Sequence, residues 1–149
     1  TTDEIEERVS ETGLVVGHSH SNDPLPSNAA IASIDVILEE VLVDVAKKIG
    51  AYWRAHLEEL ARRHSIIGDI RGKGLLQGIE LVEDRVTKEP AYTTGRAVGR
   101  ICLENGLILS VRRQGSVFRF VPPFTTTEEQ MDLAADILDH AFRQVTGAA

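Results

Sequence analysis

Apolar side chains recur at helical spacing through the first half of this chain. Their intervals of three and four residues predict an amphipathic helix that begins after a cap at Ser27 or Asn28. The stripe consists of Ile31, Ile34, Ile37, Leu38, Val41, Leu42, Val45, Ile49, Trp53, Leu57 and Leu60. One helix over residues 28–63 would be unusually long for a small domain. We therefore expect a break near residues 42–45 that gives two helices.

The rest of the pattern interleaves short extended segments with helices. Residues 1–12 predict a charged helix ended by Gly13, residues 14–16 a buried strand, and residues 17–26 a loop. Further strands are expected over residues 66–70, 75–82, 107–111 and 117–121, and a helix over residues 92–105. A last helix follows a capping box, either Thr126 with Glu129 or Thr127 with Gln130. This order predicts an α/β or α+β fold, with helices on a small, mainly antiparallel sheet.

Composition narrows the classes of partner. The chain has 149 residues and a formal net charge of −7, which disfavours nucleic acids and anionic membrane surfaces. No apolar run is long enough for a membrane helix, and the acidic start does not resemble a signal peptide. The single Cys102 fits a reducing compartment such as the cytoplasm and is expected to be a small core residue.

Two further features, a glycine-rich run and a pair of carboxylates, do not indicate a functional site. The glycines of residues 71–78 are spaced G-x-G-x-x-x-G and lead into a strand, so no helix N-terminus follows that could bind phosphate. They are expected to form tight turns. Nothing in the sequence brings Asp69 and Glu80 together, and both carboxylates are expected to be solvated.

The loop over residues 17–26 offers possible metal ligands. His18, His20 and Asp23 lack the further His or Cys that a tetrahedral transition-metal site requires. A hard cation held by backbone carbonyls and the Asp23 carboxylate suits this loop better. Asp23 could equally cap a turn before Pro24.

Arg119 is a charge between two aromatic residues in a predicted strand. If the strand alternates, Arg119 points away from the face that Phe118 and Phe120 share. The arginine then either lies on a plain solvent-exposed face or holds a carboxylate in a bidentate fork.

Three segments together resemble the class-III aminotransferase family. They are Gly-Asp-Ile-Arg-Gly-Lys-Gly-Leu-Leu-Gln-Gly-Ile-Glu-Leu at residues 68–81, Phe-Arg-Phe-Val-Pro-Pro-Phe-Thr at residues 118–125, and the loop at residues 17–24. Within the family, residues 69–74, 83–90 and 20–26 are most similar to 2,2-dialkylglycine decarboxylase, which couples decarboxylation to transamination. The resemblance covers essentially the whole chain.

The resemblance implies the C-terminal portion of a fold-type-I enzyme that uses pyridoxal phosphate (PLP) and forms a homo-oligomer. Residues 1–26 would be a remnant of the large PLP-binding domain, and residues 27–149 the linking helix and small C-terminal domain. The lysine that binds PLP lies upstream in the family and matches none of the lysines here, which are Lys47, Lys48, Lys73 and Lys88. The isolated chain is therefore expected to be inactive. The parent enzyme would act on an amino acid or amine and a keto-acid acceptor.

The resemblance also implies roles for four residues. Arg119 matches the arginine that binds the substrate α-carboxylate. Ser19 stands where the family has a threonine that contacts the PLP phosphate of the neighbouring subunit. Ser19, Ser21 and Asp23 match ligands of a monovalent cation such as potassium in the decarboxylase.

Two other functions stay open. The parent could be a plain aminotransferase for an ω-amino acid or amine, without decarboxylation. Alternatively, the chain could be a stand-alone module that binds a partner and catalyses nothing.

Overall fold

The structure, a computed structural model, describes residues 2–13, 17 and 23–147. Its helices and strands are α1 (Asp3–Glu11), α2 (Pro24–Glu39), α3 (Leu42–Arg63), β1 (Ile67–Lys73), β2 (Leu76–Leu81), α4 (Tyr92–Glu104), β3 (Ser110–Arg112), β4 (Val117–Phe120) and α5 (Glu128–Thr146). A 3-10 turn, Arg113–Gly115, separates β3 from β4. Helices pack on a small antiparallel sheet, which confirms the predicted fold class. None of the helices described has the length and apolar character needed to span a membrane.

The chain divides into two compact units, one ending at Glu40 and the other beginning at Val41. In the first unit, α1 is followed by Gly13 at φ 66°, as the sequence predicts. The strand expected over residues 14–16 lies outside the described residues. The domain boundary expected between residues 26 and 27 stays a prediction.

Helix α2 begins earlier than the sequence analysis expected. Its N-cap is Asp23 rather than Ser27 or Asn28, and the Asp23 carboxylate accepts a hydrogen bond of 3.1 Å from the Leu25 backbone N–H. Pro24 occupies the first helical position, where a missing N–H costs nothing because that group has no partner within the helix. Residues 24–26, which were predicted to belong to the loop, are therefore helical.

The predicted break in the apolar stripe is present at Glu40 and Val41, just ahead of the expected position. Val41 adopts the left-handed conformation, with φ 52° and ψ 39°, which a β-branched residue rarely takes. The two helices differ in how far their apolar side chains are buried. On α2, Ile31 is 57% and Leu38 is 68% exposed, whereas Trp53 on α3 is only 1% exposed.

The strands form an antiparallel sheet in the order β1-β2-β4-β3. Strand β1 is longer than predicted because the hairpin with β2 continues to the pair Lys73 and Leu76. Strand β3 is shorter than the predicted segment 107–111, since pairing with β4 begins only at Ser110. Before it, Leu107 and Leu109 pack against the core outside any strand.

Of the glycines in the run at residues 71–78, Gly74 lies in the turn between β1 and β2 as expected, whereas Gly72 belongs to β1 and Gly78 to β2. Gly72 and Gly74 have φ values of 134° and 56°, which side chains with a Cβ rarely adopt. The Gln77 amide donates hydrogen bonds to the Gly50 carbonyl at 2.6 Å and the Gly74 carbonyl at 2.9 Å. These bonds tie the turn to α3.

The core lies between one face of the sheet and helices α3 and α5. Phe118 and Phe120 point into it, and the Phe120 ring meets Trp53 edge-on at a centroid distance of 5.1 Å. Helix α4 packs on α5 and buries Cys102 completely. Burial raises the pKa of the Cys102 thiol to about 12, so this cysteine is the unreactive core residue that the sequence predicts.

Helix α5 begins with the second of the two predicted capping boxes. The Gln130 backbone N–H donates to the Thr127 hydroxyl at 3.3 Å, and the Thr127 backbone N–H donates to the Gln130 side chain at 3.0 Å. This reciprocal pair satisfies two donors that the first helical turn leaves open.

Candidate functional site

Arg119 lies at the middle of β4 with its side chain exposed on the sheet face opposite Phe118 and Phe120. The predicted alternation is confirmed. Neighbouring strands place Gly78 on one side of Arg119 and Ser110 on the other. No hydrogen bond or ion pair engages the Arg119 guanidinium within the described part of the chain. Its donors are therefore available to an anion.

Arg71 lies in the same row of the sheet, because both Arg71 and Arg119 pair with Gly78. Unlike Arg119, it is neutralised: its guanidinium contacts the Asp69 carboxylate and donates to Glu80 at 2.9 Å. These hydrogen bonds, first that to Glu80 and then that to Asp69, raise the pKa of Arg71.

The same contacts correct the prediction for Asp69 and Glu80. The two residues are directly paired across β1 and β2, and Arg71 bridges them. The prediction that left these carboxylates apart was wrong, because it did not fix the position of the hairpin turn, which sets the register that pairs Asp69 with Glu80. With these charges satisfied, Arg119 remains the guanidinium of this row that can accept a ligand.

Ser110 extends the polar site towards the edge of the sheet. It pairs with Arg119 in the register of β3 and β4, and its hydroxyl accepts a hydrogen bond of 3.0 Å from Nε of Arg112. A serine hydroxyl that accepts one hydrogen bond can still donate its own proton. Ser110 and Arg119 can therefore present donors to one anion.

A groove of about 670 Å³ is lined in part by these two residues, although their side chains point to the sheet face opposite Phe120, which also lines it. Its other walls come from residues 106–109, the turn at residues 120–123 and one side of α5, and most of its lining is apolar. Trp53 also lines the groove, and its indole N–H has no hydrogen-bond partner within the described residues. The sequence pattern predicts Arg119 as a site residue but not Ser110, Trp53 or the groove, because these come from separate segments.

The predicted cation loop is only partly described. Ser19 and Ser21 lie outside the described residues, as do His18 and His20. Asp23 is described as the N-cap of α2. Across residues 2–13, 17 and 23–147, no three His, Cys, Asp or Glu side chains are grouped closely enough to hold a metal ion.

The lysines do not form a site for an aldehyde cofactor. All four are exposed to solvent, and Lys48 pairs with Glu128 at 3.0 Å. A lysine that forms a Schiff base is activated by a desolvated pocket or a neighbouring cation. The described residues therefore do not fit PLP on their own.

A cluster of charges between α3 and α5 has a structural role. His64, which is 4% exposed, contacts the Asp139 carboxylate at 2.6 Å, and Arg63 and Arg143 reach it at 2.8 and 3.0 Å. Burial of Asp139 opposes its ionisation, but the His64 hydrogen bond and the two arginines outweigh that effect and lower its pKa. This carboxylate holds the two helices together.

Known proteins resemble this chain in both sequence and fold. The family model "Aminotransferase class-III" matches residues 1–142. An uncharacterized aminotransferase from Schizosaccharomyces pombe is 38% identical over 95% of this chain and 32% of its own length. A leucine/methionine racemase from Thermococcus litoralis is 39% identical over 87% of this chain and 30% of its own length. A solved transaminase from ancestral reconstruction superposes with a TM-score of 0.82 and 31% identity, covering 97% of this chain and 33% of that protein.

Proposed function

Because this chain belongs to the class-III aminotransferase family, we propose that it is the C-terminal portion of a PLP-dependent enzyme that transfers amino groups. The chain spans about a third of the length of the relatives it matches, so the activity belongs to the whole protein. The substrates in this proposal are an amino acid or amine and a keto-acid acceptor. PLP is the cofactor expected for the family, and when bound it supplies an electron sink.

Arg119 is the residue of this chain that we assign to substrate binding. The observation that carries the assignment is its exposed, unpaired guanidinium in a row where Arg71 is already neutralised by two carboxylates. A guanidinium binds a carboxylate through two parallel hydrogen bonds, which fixes the orientation of the bound molecule as well as its position. Arg119 would thereby orient the α-carboxylate of the substrate.

The cofactor-binding lysine is proposed to lie in the remainder of the full-length protein. We therefore expect the isolated chain, mixed with PLP, to form no stable covalent lysine adduct and to release no keto acid from an amino acid. The full-length protein should do both, because its large domain supplies the enclosed lysine. The measurement is a visible absorption spectrum after dialysis, together with an assay for keto acid.

Two outcomes would contradict this expectation. An adduct on the isolated chain that disappears when Lys47, Lys48, Lys73 or Lys88 is replaced would place the anchoring lysine here. A full-length protein that binds no PLP would overturn the proposed function itself.

The type of reaction is a finer proposal. The resemblance inferred from residues 20–26, 69–74 and 83–90 to 2,2-dialkylglycine decarboxylase is the support for a decarboxylating transaminase, and the plain ω-aminotransferase is the alternative. The leucine/methionine racemase among the relatives indicates that proteins similar to this chain also act on α-amino acids. An α-amino acid carries the carboxylate that Arg119 would bind, which favours this class of substrate over simple amines.

We further propose that the loop before α2 serves the cofactor and a cation in the full-length protein. Ser19 would contact the PLP phosphate of a neighbouring subunit, and Ser19, Ser21 and Asp23 would bind a monovalent cation such as potassium. Flexible shells of oxygen atoms suit large, hard cations. Since one loop would carry both ligands, binding of the cation and binding of PLP should be linked.

This proposal predicts that the full-length enzyme responds to the identity of the cation. Activity at fixed ionic strength should differ among potassium, sodium and lithium, and Asp23→Asn should remove the difference because one charged ligand is lost. Asparagine remains a good helix N-cap, so the variant keeps the start of α2. Equal wild-type activity in all three salts would refute the cation-binding role of Asp23.

We also propose that the full-length protein is a homo-oligomer and is located in the cytoplasm. The apolar side chains of Leu25, Ile31 and Leu38 on α2 are 79%, 57% and 68% exposed. Exposed apolar surface of this kind marks contacts with another domain or subunit. The single, buried Cys102 suits a reducing compartment, which is consistent with the cytoplasm.

A further inference from the structure

We propose that Arg112 binds a second carboxylate, at the far end of the substrate, and so selects acidic α-amino acids and dicarboxylic keto acids. This inference rests on the proposed function, in which the α-carboxylate is already held at Arg119. It adds a recognition site for the carboxylate of the substrate side chain, and it assigns that site to the neighbouring strand β3.

The side chain of Arg112 lies on the same face of the sheet as that of Arg119. A Cβ at Gly99 of α4 would lie 2.9 Å from a methyl group of Val111, so the Val111 side chain points towards that helix. Because side chains alternate along a strand, Ser110 and Arg112 point to the opposite face. Ser110 pairs with Arg119 across β3 and β4, and directly paired residues share a face. The two arginines therefore face the same space.

The guanidinium of Arg112 is held in position but not neutralised. Its Nε donates a hydrogen bond of 3.0 Å to the Ser110 hydroxyl, which leaves its terminal N–H groups unused. Arg112 is exposed, and within the described part of the chain it makes no ion pair and no other hydrogen bond. A guanidinium that is oriented in this way, with donors to spare, can bind a carboxylate through two parallel hydrogen bonds.

The spacing of the two arginines suits the two ends of one small molecule. Arg112 pairs with Val117, two positions before Arg119 on β4, so the arginines are diagonal neighbours with Cα atoms about 7–8 Å apart. Neither has a carboxylate partner among the described residues, whereas two carboxylates neutralise Arg71. Like charges at this separation repel each other, and a dianion that binds both removes the repulsion.

The surrounding charges also favour an acidic side chain. Residues 91–127 contain five arginines and one acidic residue, Glu104, although the whole chain has a formal net charge of −7. This part of an acidic protein is therefore electropositive, which attracts anions and repels cations. Glutamate should accordingly be a good substrate, and amino acids with a cationic side chain should be poor ones.

Kinetics of the full-length enzyme test the proposal with glutamate and glutamine, which are similar in size and differ in charge. In the wild type, kcat/KM for glutamate should exceed that for glutamine at least about tenfold. Arg112→Gln should lower kcat/KM for glutamate at least about tenfold, mainly through KM, and change that for glutamine less than about twofold. Equal wild-type values for the two amino acids, or an equal effect of Arg112→Gln on both, overturns the proposal.

Two further variants separate a direct contact from a general effect of charge. Ser110→Ala removes the hydrogen bond that orients Arg112 and should lower kcat/KM for glutamate about threefold to tenfold. Arg100→Gln removes the same charge from the exposed side of α4, where Arg100 pairs with Glu104 at 3.9 Å, and should keep the preference of the wild type. Far-UV circular dichroism verifies folding. A loss of preference in Arg100→Gln as large as that in Arg112→Gln overturns the contact with Arg112.

Binding of glutarate distinguishes this inference from the proposed function. Glutarate has two carboxylates and no amino group, so it binds without reacting. By calorimetry, the full-length protein should bind glutarate at least about tenfold more tightly than pentanoate, which has as many carbons and one carboxylate, and Arg112→Gln should remove the difference. Transamination without this difference overturns the inference and leaves the proposed function intact. The difference without transamination of any amino acid overturns the proposed function, while the carboxylate site at Arg112 stands.

Discussion

Replacing Arg119 by lysine in the full-length protein is expected to lower kcat/KM for an α-amino acid about tenfold to a hundredfold. Lysine keeps the positive charge but loses the planar fork, so a bidentate contact with the carboxylate becomes a single contact. Hydrogen bonds to charged groups contribute about 1.5–3 kcal/mol each, and each ~1.4 kcal/mol corresponds to a factor of ten. Steady-state kinetics should show the loss mainly in KM, because the carboxylate contact is present before the chemical step.

Arg71→Lys is the matched control for this experiment. Arg71 lies in the same row of the sheet, but Asp69 and Glu80 already occupy its guanidinium. Its replacement should affect kcat/KM much less than Arg119→Lys does. Unchanged kinetics for Arg119→Lys with an α-amino acid, or equal losses for both variants, would refute the assignment of Arg119.

The second large effect is expected at Gly95, in the first turn of α4. A Cβ at this position would overlap with the Gly115 carbonyl oxygen, a backbone atom that cannot rotate away. Such overpacking costs about 1–3 kcal/mol and sometimes more, and the helical preference of alanine over glycine returns only about 1 kcal/mol. Because the overlap is with backbone, the cost lies in the upper part of that range, and Gly95→Ala should lower the free energy of unfolding by about 1–2 kcal/mol, measured by urea denaturation.

Gly99 provides the control in the same helix, one turn further on. A Cβ there would approach a methyl group of Val111 at 2.9 Å, and the Val111 side chain lies on the short edge strand β3. A side chain at an edge can move, so the helical preference of alanine should prevail. Gly99→Ala is expected to leave stability unchanged or raise it by up to about 1 kcal/mol. Equal stability of Gly95→Ala and the wild type would show that the turn at Gly115 yields.

Local patterns predicted most of the secondary structure. The capping box of α5 and the alternation around Arg119 depend on residues within a few positions of one another, and both agree with the structure. The break in the long apolar stripe follows from the same kind of reasoning about helix length. The start of α2 was missed, because the sequence analysis assigned the cap to Ser27 or Asn28 although Asp23 with Pro24 is an equally local signal.

The sequence pattern did not predict the contacts between distant segments. The carboxylates of Asp69 and Glu80 meet on Arg71 because the position of the turn between β1 and β2 sets a register that pairs these two residues. A one-residue difference in register would move every side chain to the other face of the sheet, and periodicity alone does not fix the register.

The sequence by itself determined the order of helices and strands and the exposure of Arg119 on its strand. These properties follow from periodicities of 2 and 3.6 residues and from caps, which involve near neighbours. Only the tertiary structure decided which arginine is free and that a groove lies beside it. The groove is lined by residues from α3, β3, β4 and α5, which come together because α3 and α5 pack on one face of the sheet and bury a common apolar surface.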